Sequence, residues 1–182
     1  MTTTSVTLTG TGVPHPSPGR AGPGTLVRHG EVNLQFDAGR ATVMRLADAG
    51  APPHTLTALF LTHIHSDHLV DLADVAMTRW IQQNMHPVGP LTIVCPEGLA
   101  AGFVERMFDA WVDDIAVRMA HVQPAPPTVN LITFPVPDHA TQVWSSPDGT
   151  VHVDAVAVHH EPVREAVAYR VRTPDATIVV SG

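Results

Sequence analysis

The stretch that decides the fold is Thr62-His63-Ile64-His65-Ser66-Asp67-His68, which brings three imidazoles and a carboxylate together. The apolar run Leu56 to Leu61 leads into it and predicts a buried strand whose end is held by packing. Because side chains alternate along a strand, His63 and His65 are expected to project to one side. Ser66-Asp67 is typical of a helix start, and this turn would return Asp67 and His68 to the same place. Imidazole and carboxylate are ligands for a borderline divalent ion such as zinc, so the stretch predicts a metal site.

Composition limits the class of protein. The chain has 182 residues, of which 44% are hydrophobic and 15% charged, as expected for one globular domain over residues 1–182. The formal net charge is -7, and all 10 basic residues are arginines. This balance disfavours a phosphate-binding surface for a long nucleic acid, whereas a small anionic substrate stays compatible because bound divalent ions offset negative charge. The single Cys95 excludes an intrachain disulfide.

Targeting signals are not evident in the sequence. Met1-Thr2-Thr3-Thr4-Ser5 lacks a basic region followed by an apolar stretch, and no apolar run is long enough to span a bilayer. A cytoplasmic protein without membrane contact is therefore expected.

Apolar periodicity predicts an α+β chain with α/β-type layers, in which helices cover one face of a sheet. Helical spacing is found from Ala41 to Ala49, from Asp67 to Met85 and from about Leu99 to Val112. Strands are predicted at 5–9, 24–28, 32–36, 56–61, 91–95, 131–136, 151–158, 167–171 and 177–181.

The pattern His63-x-His65-x-Asp67-His68 resembles the signature of the metallo-β-lactamase superfamily of metal-dependent hydrolases. The flanking Phe60-Leu61-Thr62 and Leu69-Val70-Asp71-Leu72 are similar to the same family. This resemblance implies a four-layer αβ/βα sandwich with metal ions at one edge of its two sheets. It also implies two Zn²⁺ ions in a complete site, with Mn²⁺ or Fe as alternatives.

A second segment, His160-Glu161-Pro162-Val163 with Tyr169-Arg170 nearby, resembles the branch that contains ribonuclease Z, phosphodiesterases and some arylsulfatases. The resemblance implies that His160 joins His63 and His65 as the third ligand of the first ion, with His159 as the alternative. It assigns Asp67 and His68 to the second ion. It also implies that Asp67 is the catalytic residue, which would orient the attacking water.

Asp37 lies in Phe36-Asp37-Ala38-Gly39, which resembles an Asp-x-Gly turn of the same family. The expected role of Asp37 is to orient the histidine loop without binding the ion. The alternative is an ordinary turn aspartate at the end of a strand.

The chain ends at Val180-Ser181-Gly182, one residue before the aspartate that the family's Ser-Gly-Asp segment would supply to the second ion. The expectation is thus an N-terminal portion of the fold, incomplete at its C-terminus. Strands that face a missing sheet would expose apolar edges, which favours a homodimer.

The function expected from the resemblance is hydrolysis of a phosphodiester, sulfate ester or related small ester by a metal-bound hydroxide. The alternative is a tRNA 3′-processing endoribonuclease of the ribonuclease Z type. RNA is the less favoured partner because the chain is acidic, lacks lysine and has no evident RNA-binding arm. Two further alternatives are a metal-binding fragment without full activity and redox chemistry at a single iron.

Overall fold

The computed structural model describes residues 2–182 and contains two β-sheets. The first sheet has six strands in the order of the chain, antiparallel between the first three and parallel from the third to the sixth. A mixed sheet of this kind directs the carboxyl ends of its parallel strands toward one edge. Its strands are β1 (Thr4–Gly10), β2 (Gly24–His29), β3 (Val32–Phe36), β4 (Ala58–Phe60), β5 (Leu91–Pro96) and β6 (Val129–Phe134).

The second sheet is antiparallel throughout, with the strand order β10-β9-β8-β7. It packs face to face against the first sheet. Its strands are β7 (Thr141–Ser145), β8 (His152–Ala157), β9 (Val167–Arg172) and β10 (Thr177–Ser181).

Five α-helices are found in the described residues, and the core of the helical layer lies on one face of the first sheet. Leu59 and Leu61 pack with residues of these helices, whereas Ala58 and Phe60 pack with residues of the second sheet. The alternation follows from the pleat of β4 and its continuation, which directs successive side chains to opposite faces. The helices are α1 (Thr42–Asp48), α2 (Ser66–Leu69), α3 (Leu72–Gln82), α4 (Leu99–Arg106) and α5 (Val112–His121).

The layer between the two sheets is aromatic. The rings of Phe36 and Phe60 stack with centroids 4.8 Å apart, and Tyr169 from the second sheet meets Phe60 edge-on at 5.3 Å. All three side chains are fully buried. Residues 2–182 thus form three layers, helices on sheet on sheet, and the predicted α+β architecture is confirmed. The second helical layer of the four-layer αβ/βα sandwich is not found in residues 2–182.

Several predicted boundaries were wrong. The helix expected from Asp67 to Met85 is broken between α2 and α3, because the backbone N–H of Asp71 donates to Ala38 O at 2.9 Å instead of continuing the helical ladder. The carboxylate of Asp71 also accepts the N–H of Val43 at 2.9 Å. These contacts lie far from Asp71 in sequence, so local periodicity could not show them.

The helix predicted from Leu99 to Val112 is also interrupted. It ends at Arg106, and a 3₁₀ turn at Asp109–Trp111 leads into α5. Helix α5 and strand β7 were not predicted. Strand β4 is three residues long and ends before the histidine loop begins.

In the described part of the chain, no helix combines the length and the apolar character needed to cross a bilayer.

Candidate metal centre

Three imidazoles meet at the edge where the two sheets approach each other. His63 Nε2 lies 3.0 Å from His65 Nδ1, and His160 Nε2 lies 3.1 Å from the same nitrogen. One nitrogen from each ring falls within 4.8 Å of the others. Zinc–nitrogen bonds of 2.0–2.1 Å in a tetrahedral site imply nitrogen–nitrogen distances of about 3.3 Å. The spacing and chemistry of these donors therefore fit a zinc ion.

The histidines come from two loops rather than from a strand. His63 and His65 follow β4 in a loop, so the turn of that loop, and not strand alternation, brings their rings together. His160 follows β8 and forms a single bridge with Val163. The neighbouring His159 is exposed and is not part of the cluster, so the geometry favours His160 as the third residue.

Asp37 lies beneath the histidine loop and accepts several hydrogen bonds. The backbone N–H of Thr62 donates to Oδ1 at 2.8 Å, and the Thr62 hydroxyl donates to Oδ2 at 2.9 Å. His68 Nδ1 lies 2.7 Å from Oδ2. Asp37 is only 4% exposed, so these contacts replace the water that an isolated carboxylate would need. The structure therefore places Asp37 where it can orient the loop, as the sequence predicts.

The backbone of Asp37 is held as firmly as its side chain. Its φ of 58° lies in the left-handed region, which is uncommon for a residue with a side chain. Gln35 Nε2 donates to Asp37 O at 2.8 Å, and the Asp37 N–H donates to Phe60 O at 2.7 Å. Gln35 is completely buried and was missed by sequence reasoning. An amide side chain on the inward face of a strand next to a turn aspartate was the available signal.

Asp67 and His68 form a second, smaller group. His68 Nε2 lies 3.8 Å from Asp67 Oδ2, while the other ring nitrogen is engaged by Asp37. The His68 ring lies 4.2 Å from the His63 ring, measured between centroids. The structure thus brings Asp67 and His68 beside the three-histidine cluster, where this pair offers two donors to a second ion.

The pKa values of His63 and His68, one from each group, are shifted in opposite directions. Burial, followed by the neighbouring His68, His160 and His65, lowers the pKa of His63 to about 3. His63 is therefore neutral over the physiological range and keeps a lone pair for a metal. Burial also acts to lower the pKa of His68, but the hydrogen bond and charge of Asp37, with the charge of Asp67, raise it above its ordinary value.

The second sheet holds the histidine loop in place. The hydroxyl of Tyr169 in β9 donates to Leu61 O at 2.6 Å, and the Val167 N–H donates to Thr62 O at 3.0 Å. Tyr169 is part of the motif recognised in the sequence, but this contact with the loop was not predicted. The two bonds fix the loop that carries His63 relative to the sheet that leads to His160.

Relatives in sequence cover nearly the whole chain. It is 38% identical over 181 residues to ribonuclease Z of Mycolicibacterium gilvum and 41% identical over 180 residues to ribonuclease Z of Mycolicibacterium paratuberculosis. Each comparison covers 97% of this chain but only 60% and 61% of the relative, so the chain spans about 60% of the length of the curated relatives it matches. No protein-family model matches the chain.

Solved structures share the fold at low sequence identity. The metallo-β-lactamase fold protein YhfI from Bacillus subtilis superposes with a TM-score of 0.70 at 20% identity, covering 98% of this chain and 63% of YhfI. The chain has the metallo-β-lactamase fold. The short form of human tRNase Z gives the same TM-score at 22% identity. The superposition covers 97% of this chain and 68% of the human protein. Together with the sequence relatives, these matches confirm the resemblance to the superfamily and to its ribonuclease Z branch.

Proposed function

We propose that this chain carries the metal centre of a phosphodiester hydrolase of the ribonuclease Z type, with RNA as its substrate. The observation that carries the proposal is the convergence of His63, His65 and His160 in a chain of which 97% aligns with ribonuclease Z sequences. The relatives' name favours the tRNA-processing alternative over the small-ester hydrolase that the acidic composition suggested. The ribonuclease Z relatives support RNA as partner, and we give this similarity more weight than the acidic composition, which favoured a small ester.

The three histidines are proposed to hold one zinc ion through the nitrogens that lie 3.0 and 3.1 Å apart. Bound zinc acts as a Lewis acid on the scissile phosphate and lowers the pKa of an attacking water. Asp37 can accept from His68 only if Nδ1 carries a proton, so in the neutral ring, the form that binds a metal, Nε2 keeps its lone pair beside Asp67. Asp67 Oδ2 lies 3.8 Å from this nitrogen, and its proposed role is to accept a hydrogen bond from the attacking water and to orient it.

Metal binding and RNA cleavage are tested separately. Zinc content and affinity are measured for the 182-residue chain, for His160→Ala and for the matched control His159→Ala. Loss of one of three ligands is expected to weaken zinc binding by at least about tenfold in His160→Ala, in keeping with the loss seen when even outer partners of a ligand are removed. His159→Ala should bind as the parent does, because His159 is exposed and outside the cluster. Equal affinity in all three proteins would exclude this metal centre.

Activity is measured on a tRNA precursor with a 3′ trailer and on bis(p-nitrophenyl) phosphate. Cleavage of the precursor, lost in His160→Ala, is the expected result. Cleavage of only the small ester would support the small-ester hydrolase that the sequence analysis favoured. Zinc binding without any cleavage would indicate a metal-binding fragment that lacks full activity. A cytoplasmic location and the identity of the metal stay predictions, and zinc in preference to iron in the purified protein is the expected outcome.

A further inference from the structure

The hydroxyl of Thr62 lies between the carboxylate of Asp37 and the imidazole of His63. Its oxygen is 2.9 Å from Asp37 Oδ2 and 3.1 Å from Oδ1, and the same oxygen is 2.9 Å from His63 Nδ1. Thr62 is completely buried, and His63 and Asp37 are 1% and 4% exposed. Bulk water therefore does not compete for these contacts, and the three groups satisfy one another.

The directions of these hydrogen bonds follow from the number of protons available. A carboxylate can only accept, whereas a hydroxyl has one proton to donate and two lone pairs. The Thr62 proton must therefore point to Asp37, because the hydroxyl and carboxylate oxygens would repel at 2.9 Å without a proton between them. Thr62 then has no proton left for His63, so His63 Nδ1 must carry one and donate it to the hydroxyl oxygen.

The proton on Nδ1 determines the state of the other ring nitrogen of His63. In a neutral imidazole only one nitrogen is protonated, so Nε2 keeps its lone pair. This nitrogen lies 3.0 Å from His65 Nδ1 and belongs to the side of the ring that faces the three-histidine cluster. The bond from His63 to Thr62 thus leaves a metal donor where the proposed zinc ion requires one.

We propose that Thr62 is a positioning residue, which couples Asp37 to His63 and holds this histidine in its metal-binding tautomer. The role rests on the proposed function, because His63 is a ligand of the proposed ion. Asp37 also accepts from His68 Nδ1 at 2.7 Å. One buried carboxylate thereby sets the proton of one histidine in each group, directly for His68 and through a hydroxyl for His63. The β-branched side chain of threonine suits this role, because its χ1 angle is restricted.

The test reads the proton position directly, from the ¹⁵N chemical shifts of the His63 ring in the metal-free chain. The chain has 12 histidines, and the signals that disappear in His63→Gln identify this ring. The parent should show a protonated Nδ1 and an unprotonated Nε2 at neutral pH. Thr62→Val removes the hydroxyl at similar size, so Nδ1 loses its acceptor and the proton is expected to shift toward Nε2.

Zinc affinity is the second measurement. It should fall about 10–100-fold in Thr62→Val, which is typical when the partner of a metal-bound histidine is removed. Thr62→Ser keeps the hydroxyl and should retain both the tautomer and most of the affinity. The matched control is Thr42→Val, because Thr42 is also buried but its hydroxyl donates to Gly39 O at 2.7 Å. The His63 shifts and the zinc affinity of this control should equal those of the parent.

The outcomes separate the role of Thr62 from the metal centre. A proton on Nε2 of His63 in the parent would overturn the proposal, and this result does not depend on the folding of any variant. Unchanged His63 shifts and unchanged zinc affinity in a folded Thr62→Val would also overturn it, while the metal centre would stand. A parent that binds no zinc, but whose Nδ1 proton is moved by Thr62→Val and kept by Thr62→Ser, would support the role of Thr62 and reject the metal centre.

Discussion

Replacing Asp37 with asparagine tests how the candidate metal centre is held together. The carboxylate accepts hydrogen bonds from the Thr62 backbone, from the Thr62 hydroxyl and from His68 Nδ1. In Asp37→Asn one of the two acceptor oxygens becomes an NH₂ group that can only donate. The Thr62 hydroxyl can rotate to accept, but His68 must shift its ring proton to Nε2, away from the amide. That shift removes the lone pair that faces Asp67.

Two magnitudes follow from this rearrangement. Hydrogen bonds to a charged group are worth about 1.5–3 kcal/mol, so the free energy of unfolding should fall by roughly 2 kcal/mol. Zinc affinity should fall about 10–100-fold, which is typical when a residue that orients a ligand is changed. The two effects are separable, because the first is measured on the metal-free chain and the second by titration with zinc.

Urea unfolding with EDTA present gives the stability change, and competition with a chromogenic chelator gives the zinc affinity. The ¹⁵N chemical shifts of the His68 ring report directly which nitrogen carries the proton. Asp154→Asn is the control, because it removes a buried carboxylate bonded to Arg170 and Arg172 without touching the histidine loop. Unchanged zinc affinity and an unchanged His68 tautomer in Asp37→Asn would refute the reasoning, whatever happens to stability.

Three further predictions concern stability. Tyr169→Phe leaves the buried carbonyl of Leu61 without its donor, so urea unfolding should show a loss of about 1–3 kcal/mol, whereas no loss would mean that water replaces the hydroxyl. Phe60→Ala opens a cavity between the sheets and should lower the free energy of unfolding by about 3–5 kcal/mol, against a negligible change for the exposed Val179→Ala. Hydrogen bonds from Arg172 and Arg170 hold the pKa of Asp154 below its ordinary value, so its contribution to stability is complete above about pH 5 and is lost as the pH falls through the lowered pKa. The drop in stability between neutral and acidic pH should accordingly be smaller in Asp154→Asn, and equal pH curves for the two proteins would contradict this assignment.

Sequence reasoning pointed to the parts of the candidate site that are contiguous in the chain. The run from His63 to His68 could be read directly, and His160 and Asp37 were identified by resemblance to family motifs. Gln35 was missed because its bond to Asp37 O depends on the left-handed conformation of Asp37, and an amide next to a turn aspartate is only a weak signal of it. The role of Tyr169 toward Leu61 depends on how the two sheets face each other, and this is a tertiary property.

The errors in the fold have similar causes. Helices α2 and α3 read as one segment because apolar spacing continues across Val70 and Asp71, while the break is made by distant Ala38. Helix α5 was overlooked although Val112, Ile115, Ala116 and Met119 follow a helical spacing, because the segment before the loop at Gln123 was assigned to no element. Strand β7 is short and polar at its start, and only pairing with β8 defines it.

The attachment of the histidine loop to both sheets has a consequence for engineering. His63 is carried by the first sheet and His160 by the second, and the bond from Tyr169 to Leu61 couples them. We therefore expect the distance between the imidazole nitrogens to depend on the packing between the two sheets, where Phe60 meets Tyr169. Larger or smaller side chains in this aromatic layer are expected to change which ion radius the site prefers. The three histidines themselves are kept. Libraries aimed at new metal selectivity should accordingly begin inside the protein, at a distance from the histidines themselves.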